Sequence, residues 1–217
     1  MTLKSFLAVV GLALAILGIV FNFWGMAPAE MTVTPDHPVA RSLLDTLVWF
    51  WTYLTHLVTV CLALIYLAGV TDWRALDWFR RPSVQTGALA YILVVAVYYV
   101  VMIEPAYPGV GISAVATWLL HKIGPAVFLI WWAYTVPHGQ LKYRQVGLMI
   151  LPAIPYAAWV LIRGAIVNDY PYAIFDPANG GYGSVALGLA LVVLAMVAVA
   201  VLFVFIDGLL APRTATA

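Results

Sequence analysis

A chain of 217 residues that is 65% hydrophobic and only 9% charged, with a mean hydropathy of +1.02, lacks the polar surface of a water-soluble domain, where about a quarter of residues are charged. Its formal net charge is +1 and it holds no basic stripe that could follow a phosphate backbone, which excludes nucleic acid as a partner. The single cysteine, Cys61, leaves no pair for an intramolecular disulfide.

About 20 apolar residues cross a bilayer as a helix. The first such run covers roughly 3–26. Lys4, the apolar stretch and Ala27-Pro28-Ala29 imitate a signal peptide, but the stretch from Phe6 to Phe23 is longer than an ordinary signal core, so it reads as the first span. The others follow at about 42–70, 84–103, 112–136, 144–166 and 183–210. Their connections hold the turn formers Pro28, Pro35, Pro38, Pro82, Pro108, Gly109 and the stretch Pro137 to Gly139. No linker, repeat or strand pattern interrupts them. The expected fold is all-α: one domain over 1–217, a six-helix transmembrane bundle in an integral membrane protein.

Alternate connections carry Arg74, Arg80 and Arg81, then Lys142 and Arg144, with Lys4 and Arg213 at the termini. Basic residues stay on the cytoplasmic side, so both termini are expected there, with Trp73, Trp78 and Tyr143 as interfacial anchors.

Strongly polar side chains in hydrocarbon are costly and mark function. Here they are Asn22, Asp45, Thr52, Thr55, His56, Thr59, Glu104, His121, Lys122 and Arg163, gathered in the outer half of the bundle. With a rise of ~1.5 Å per residue, Thr55 lies about 15 Å below the outer entry of the second span and His121 about 13 Å below that of the fourth. A hydroxyl and an imidazole thereby reach one depth on two helices. Thr52, Thr55 and Thr59 share one face at i, i+3 and i+7, and small hydroxyl residues also serve plain helix packing. His56 points away from that face and reads as an orienting or packing residue. Pro125, four residues after His121, removes the amide that would pair with its carbonyl and predicts a kink. Pro152 and Pro155 loosen the fifth span in the same way.

The histidines His37, His56, His121 and His138 are scattered and form no metal motif, and no cofactor is expected. A conduction pathway needs polar lining in both halves of a span, which this chain lacks. A hydroxyl and a histidine at matched depth suit nucleophilic catalysis on an acyl carbon. A non-enzymatic lipid or small-molecule carrier with an outward-facing polar cavity is the alternative, and a purely structural protein the third reading.

Tyr53-Leu54-Thr55, His121 with Pro125, and the string Pro155-Tyr156, Arg163-Gly164, Tyr170-Pro171-Tyr172, Phe175-Asp176 and Gly181-Tyr182-Gly183 resemble the androgen-induced-gene family of membrane hydrolases, its bacterial branch above all. The likeness spans about residues 45–205. It implies a six-span intramembrane threonine hydrolase of fatty acid esters of hydroxy fatty acids, with Thr55 as nucleophile and His121 as base, in a bacterial inner membrane. Relatives carry an asparagine one turn after the threonine, where this chain has Val58 and Thr59.

The resulting expectation is an intramembrane lipid-ester hydrolase whose partners are membrane lipids and a lipid ester substrate. Helical amides are already bonded, so oxyanion stabilisation is assigned to side chains, Lys122, Tyr53 or Arg163. Arg163 is alternatively a carboxylate clamp or the salt-bridge partner of Asp176 or Glu104. Tyr170, Pro171 and Tyr172 form a lid. The expected substrate-binding set is Arg163, Lys122, Tyr53, Tyr172 and Glu104.

Overall fold

The computed structural model describes residues 2–33 and 39–212; Pro35, Asp36, His37, Pro38 and Arg213 lie outside them. Among the described residues there are helices and turns and no strand. Five helical segments are long and apolar enough to cross a membrane: Leu3–Glu30, Pro82–Ile103, Ile112–Thr135, Tyr143–Val167 and Gly181–Leu209. Two further helices, Leu43–Phe50 and Leu54–Val70, are long and apolar enough only as a pair, which is bent by 73° at its junction and makes a sixth crossing if it runs as one span. All six expected runs are helical, and the second is broken where a straight rod was expected.

We label the helices α1 (Leu3–Glu30), α2 (Leu43–Phe50), α3 (Leu54–Val70), α4 (Pro82–Tyr98), α5 (Ile112–Trp118), α6 (Gly124–Thr135), α7 (Val146–Ile150), α8 (Ala153–Val167) and α9 (Gly181–Leu209). Two five-residue π turns, Tyr99–Ile103 and Leu119–Ile123, extend α4 and join α5 to α6. The second is the local answer to Pro125. Proline has no N–H for the carbonyl four residues back, and the helix widens so that the Gly124 amide bonds to Leu119 O. A Cβ at Gly124 would stand 2.6 Å from that oxygen, so glycine is the residue this turn admits.

α4 is the axis of the bundle, packed against α3, α6, α7 and α9, while α1 lies along α3, α5 and α6. The core is built from Leu62, Ile65, Leu89, Phe128, Trp131 and Met196 and their neighbours on these helices. α1 and α3 approach closely because Gly11 faces the Tyr66 ring, and a Cβ there would overlap it. α8 is the exception, approaching the other elements only sparsely.

The two ends of the bundle differ. At one, the buried Asp207 carboxylate accepts from Gly139 N and Leu141 N at 3.0 Å each and lies 3.1 Å from His138 Nδ1. The same end holds Arg80, Arg81 and Lys142. At the other end Arg41 bonds Glu30 (2.7 Å) and lies 3.3 Å from Asp169, which also takes Arg163 at 3.0 Å.

Two outcomes are expected. Gly11→Leu forces the α1–α3 contact apart at a cost of about 1–3 kcal/mol, measured as a lowered unfolding midpoint in detergent. In intact cells, a cysteine replacing Lys142 resists an impermeant maleimide and one replacing Asp169 reacts, as the positive-inside rule requires.

Candidate active site

The break between α2 and α3 organises the site. Val48, Trp49, Phe50, Trp51, Thr52 and Tyr53 include none of the strong helix formers, and Tyr53 leaves the helix in extended backbone (φ −74°, ψ 127°). Backbone groups freed inside a bilayer need partners from the protein, and three side chains supply them. His56 Nδ1 lies 2.6 Å from Phe50 O, its ring stacked on Phe50 with centroids 3.7 Å apart. Tyr156 O–H donates to Thr52 O (3.1 Å), and Leu54 N–H donates to the Tyr172 hydroxyl (3.1 Å). His56 is fixed on its far side by the Asn22 amide at 2.8 Å from Nε2. The expected orienting role of His56 takes this form.

The break also changes what Thr55 can do. Thr46, Thr52, Thr59, Thr71 and Thr135 each donate their hydroxyl to the carbonyl four residues back, the usual fate of a helical threonine. Thr55 has the disrupted segment behind it. Its Oγ1 stands 3.4 Å from His121 Nε2 instead, and both residues are buried. The shared face expected for Thr52, Thr55 and Thr59 therefore does not form: Thr52 belongs to the turn, and Thr59 is bonded to Thr55 O.

His121 sits in the π turn, stacked on Tyr99 with centroids 3.8 Å apart and planes 11° from parallel. Its Nδ1 is 3.2 Å from Thr117 O. A carbonyl can only accept, so Nδ1 carries the proton and the neutral ring presents the Nε2 lone pair to Thr55. That is the tautomer a general base requires.

Both residues line an apolar cavity of about 90 Å³. Tyr98, Tyr99, Tyr156, Tyr172 and Phe175 contribute to its wall. Burial raises the Tyr172 phenol above its ordinary value, against hydrogen bonding with Thr55 and Leu54 that lowers it, so this ring keeps its proton. The segment Tyr170–Tyr172 thus supplies a wall of the cavity through Tyr172, and Gly164 makes room for the Tyr170 ring.

The remaining expected substrate-binding residues lie elsewhere. Lys122 and Glu104 bond to each other at 2.6 Å, with Lys122 over the Trp118 ring. Buried Arg163 donates to Asp169 through both Nη atoms, rather than to Asp176 or Glu104. Tyr53 packs edge-on against Tyr172 and Trp49. None of these four borders the cavity. Tyr98, Tyr99 and Tyr156, which do, were not among the expected site residues; Tyr98 and Tyr99 are ordinary aromatics in an apolar span, whereas Tyr156 stood in the motif string without a role assigned to it. Among the described residues no cluster of His, Cys, Asp and Glu has the makings of a metal site. At the start of α3 the amides are taken up, Leu54 N–H by the Tyr172 hydroxyl and His56 N–H by Tyr53 O at 3.1 Å.

No family model, no curated protein and no solved structure matches the chain.

The stitching of the break gives a stability test. His56→Phe keeps the stacked ring but leaves Phe50 O with only the long Tyr53 N–H bond (3.4 Å) and takes the ring partner from the Asn22 amide, at about 1–3 kcal/mol. The expected result is a lowered unfolding midpoint, with Asn22→Leu adding less in the His56→Phe background than alone.

Proposed function

We propose that the chain is an intramembrane hydrolase of lipid esters, fatty acid esters of hydroxy fatty acids or their like, working in a bacterial inner membrane. The observation that carries this reading is the aim of His121 Nε2 at Thr55, a buried threonine with the helix broken behind it and no bond from its hydroxyl to the carbonyl four residues back. A separation of 3.4 Å is in the range that unliganded nucleophile–base pairs adopt before substrate tightens them. The motif likeness to the androgen-induced-gene hydrolases points to the same two residues.

In the proposed reaction the ester carbonyl enters the cavity with its chains extending between helices. Thr55 Oγ attacks the carbonyl carbon while His121 Nε2 takes the hydroxyl proton. The carbonyl π pair moves to oxygen, giving a tetrahedral oxyanion. Tyr172, which lines the cavity with Thr55, is the donor for it: its oxygen accepts from Leu54 N–H, which polarises its own O–H toward the developing charge. Collapse expels the alkoxide, protonated by His121, and leaves an acyl-Thr55 ester. Water then attacks that ester with His121 as base, releasing the acid and restoring the threonine. Lys122, Glu104 and Arg163, already paired with each other or with Asp169, have no step here.

A carrier would use the same apolar cavity without a lone pair directed at a hydroxyl, and one substitution separates the two. Thr55→Ala is expected to lower hydrolysis of a branched fatty acid ester in liposomes by about 10⁴-fold or more while changing stability by about 1 kcal/mol. His121→Ala is expected to match it, and the double variant to be no worse. Tyr172→Phe is expected to lose about 10²–10³ in kcat. Free acid is read by mass spectrometry. Undiminished release by a folded Thr55→Ala protein ends the hydrolase reading.

A further inference from the structure

A second and larger cavity, about 550 Å³, lies on the other side of Tyr156, Leu54 and Tyr91, the three residues it shares with the Thr55 cavity. It runs between α3, α4 and α7 toward the basic end, along Cys61, Val84, Gly87 and Met149. Its size suits a ligand, and its polarity is confined to its mouth. The tyrosine hydroxyls at the inner end are already committed, Tyr91 to Ile150 O at 2.9 Å and Tyr156 to Thr52 O at 3.1 Å. At the outer end stand Ser83 and Arg81, the only charged residue of the lining.

Arg80 and Arg81 are neighbours with opposite circumstances. Arg80 is bound into the loop, donating to Ala68 O (3.1 Å), Thr71 O (2.6 Å) and Trp73 O (3.1 Å) and paired with Asp77. Arg81 is exposed and has no side-chain hydrogen bond or ion pair among the described residues. From Arg81 to Tyr91 the chain climbs α4 by ten residues, on the order of 15 Å. That is half of the ~30 Å hydrocarbon core, the depth that one acyl chain of one leaflet fills. The half-exposed Trp78 at the mouth suits the headgroup level.

We propose that this cavity is a binding site for an anionic phospholipid of the adjoining leaflet, one acyl chain inside it and the phosphate on Arg81. The guanidinium fork matches a phosphate, and basic pockets between spans hold anionic headgroups in this way. The inference is independent of the hydrolase reading and stands whether or not Thr55 reacts.

The test is native mass spectrometry of the full chain in detergent, titrated with dioleoyl phosphatidylglycerol, dioleoyl phosphatidylcholine or oleate. Phosphatidylglycerol is expected to bind about tenfold more tightly than phosphatidylcholine, and Arg81→Gln to erase the difference without shifting the lipid-free unfolding midpoint. Phosphatidylglycerol with a photoreactive diazirine at the end of one chain is expected to label Val58, Cys61 or Tyr91. Equal binding of the two phospholipids, tighter binding of oleate, an unchanged preference in Arg81→Gln, or labels confined to lipid-facing residues such as Leu194 would each overturn the assignment.

Discussion

Hydrocarbon offers no partner to a peptide N–H or C=O, so a chain that leaves the helical ladder in mid-membrane must carry its own. Between Phe50 and Leu54 this protein does so with His56, Tyr156 and Tyr172. Two of these also wall the Thr55 cavity. The repair of the backbone and the construction of the cavity are therefore one event. α8 contributes Tyr156 and the α8–α9 connection contributes Tyr172, so the fifth and sixth crossings are held to the second by the hydrogen bonds its break exposes.

The same constraint explains why Thr55 differs from its relatives along the sequence. A helical threonine commonly spends its hydroxyl on its own backbone, as Thr46, Thr59 and Thr135 do here. At Thr55 the turn beneath is broken and the hydroxyl faces His121 instead. His121 has a parallel history: Pro125 and Gly124 widen its helix into a π turn, and Thr117 O fixes which nitrogen holds the proton. Each partner is prepared by a local departure from regular helix.

Much of this was legible in the residues. Hydropathy alone locates six apolar runs, because the energetic demand of the bilayer is large and uniform along each. Counting residues put Thr55 and His121 at one level, and the two side chains do meet at 3.4 Å, although the 73° bend between α2 and α3 means that the count from Asp45 is not a straight rise. The break itself was not legible. Trp51-Thr52-Tyr53 contains no proline or glycine, and the weak helix formers around it become decisive only when His56, Asn22, Tyr156 and Tyr172 arrive from elsewhere. The pairings of Lys122 with Glu104 and Arg163 with Asp169 were also beyond reach, since several acids and bases at the same end of a bundle satisfy a one-dimensional reading equally well.

The shared use of Asp169 by Arg163 and Arg41 has a mechanical meaning. Arg163 belongs to α8, Arg41 to the strip entering α2, and Asp169 to the connection that delivers Tyr172. One carboxylate thus joins three pieces of chain, and the piece that carries it also carries Tyr172 into the cavity wall. Movement of the α8–α9 connection away from Thr55 therefore has to break two ion pairs as well as the Leu54–Tyr172 bond.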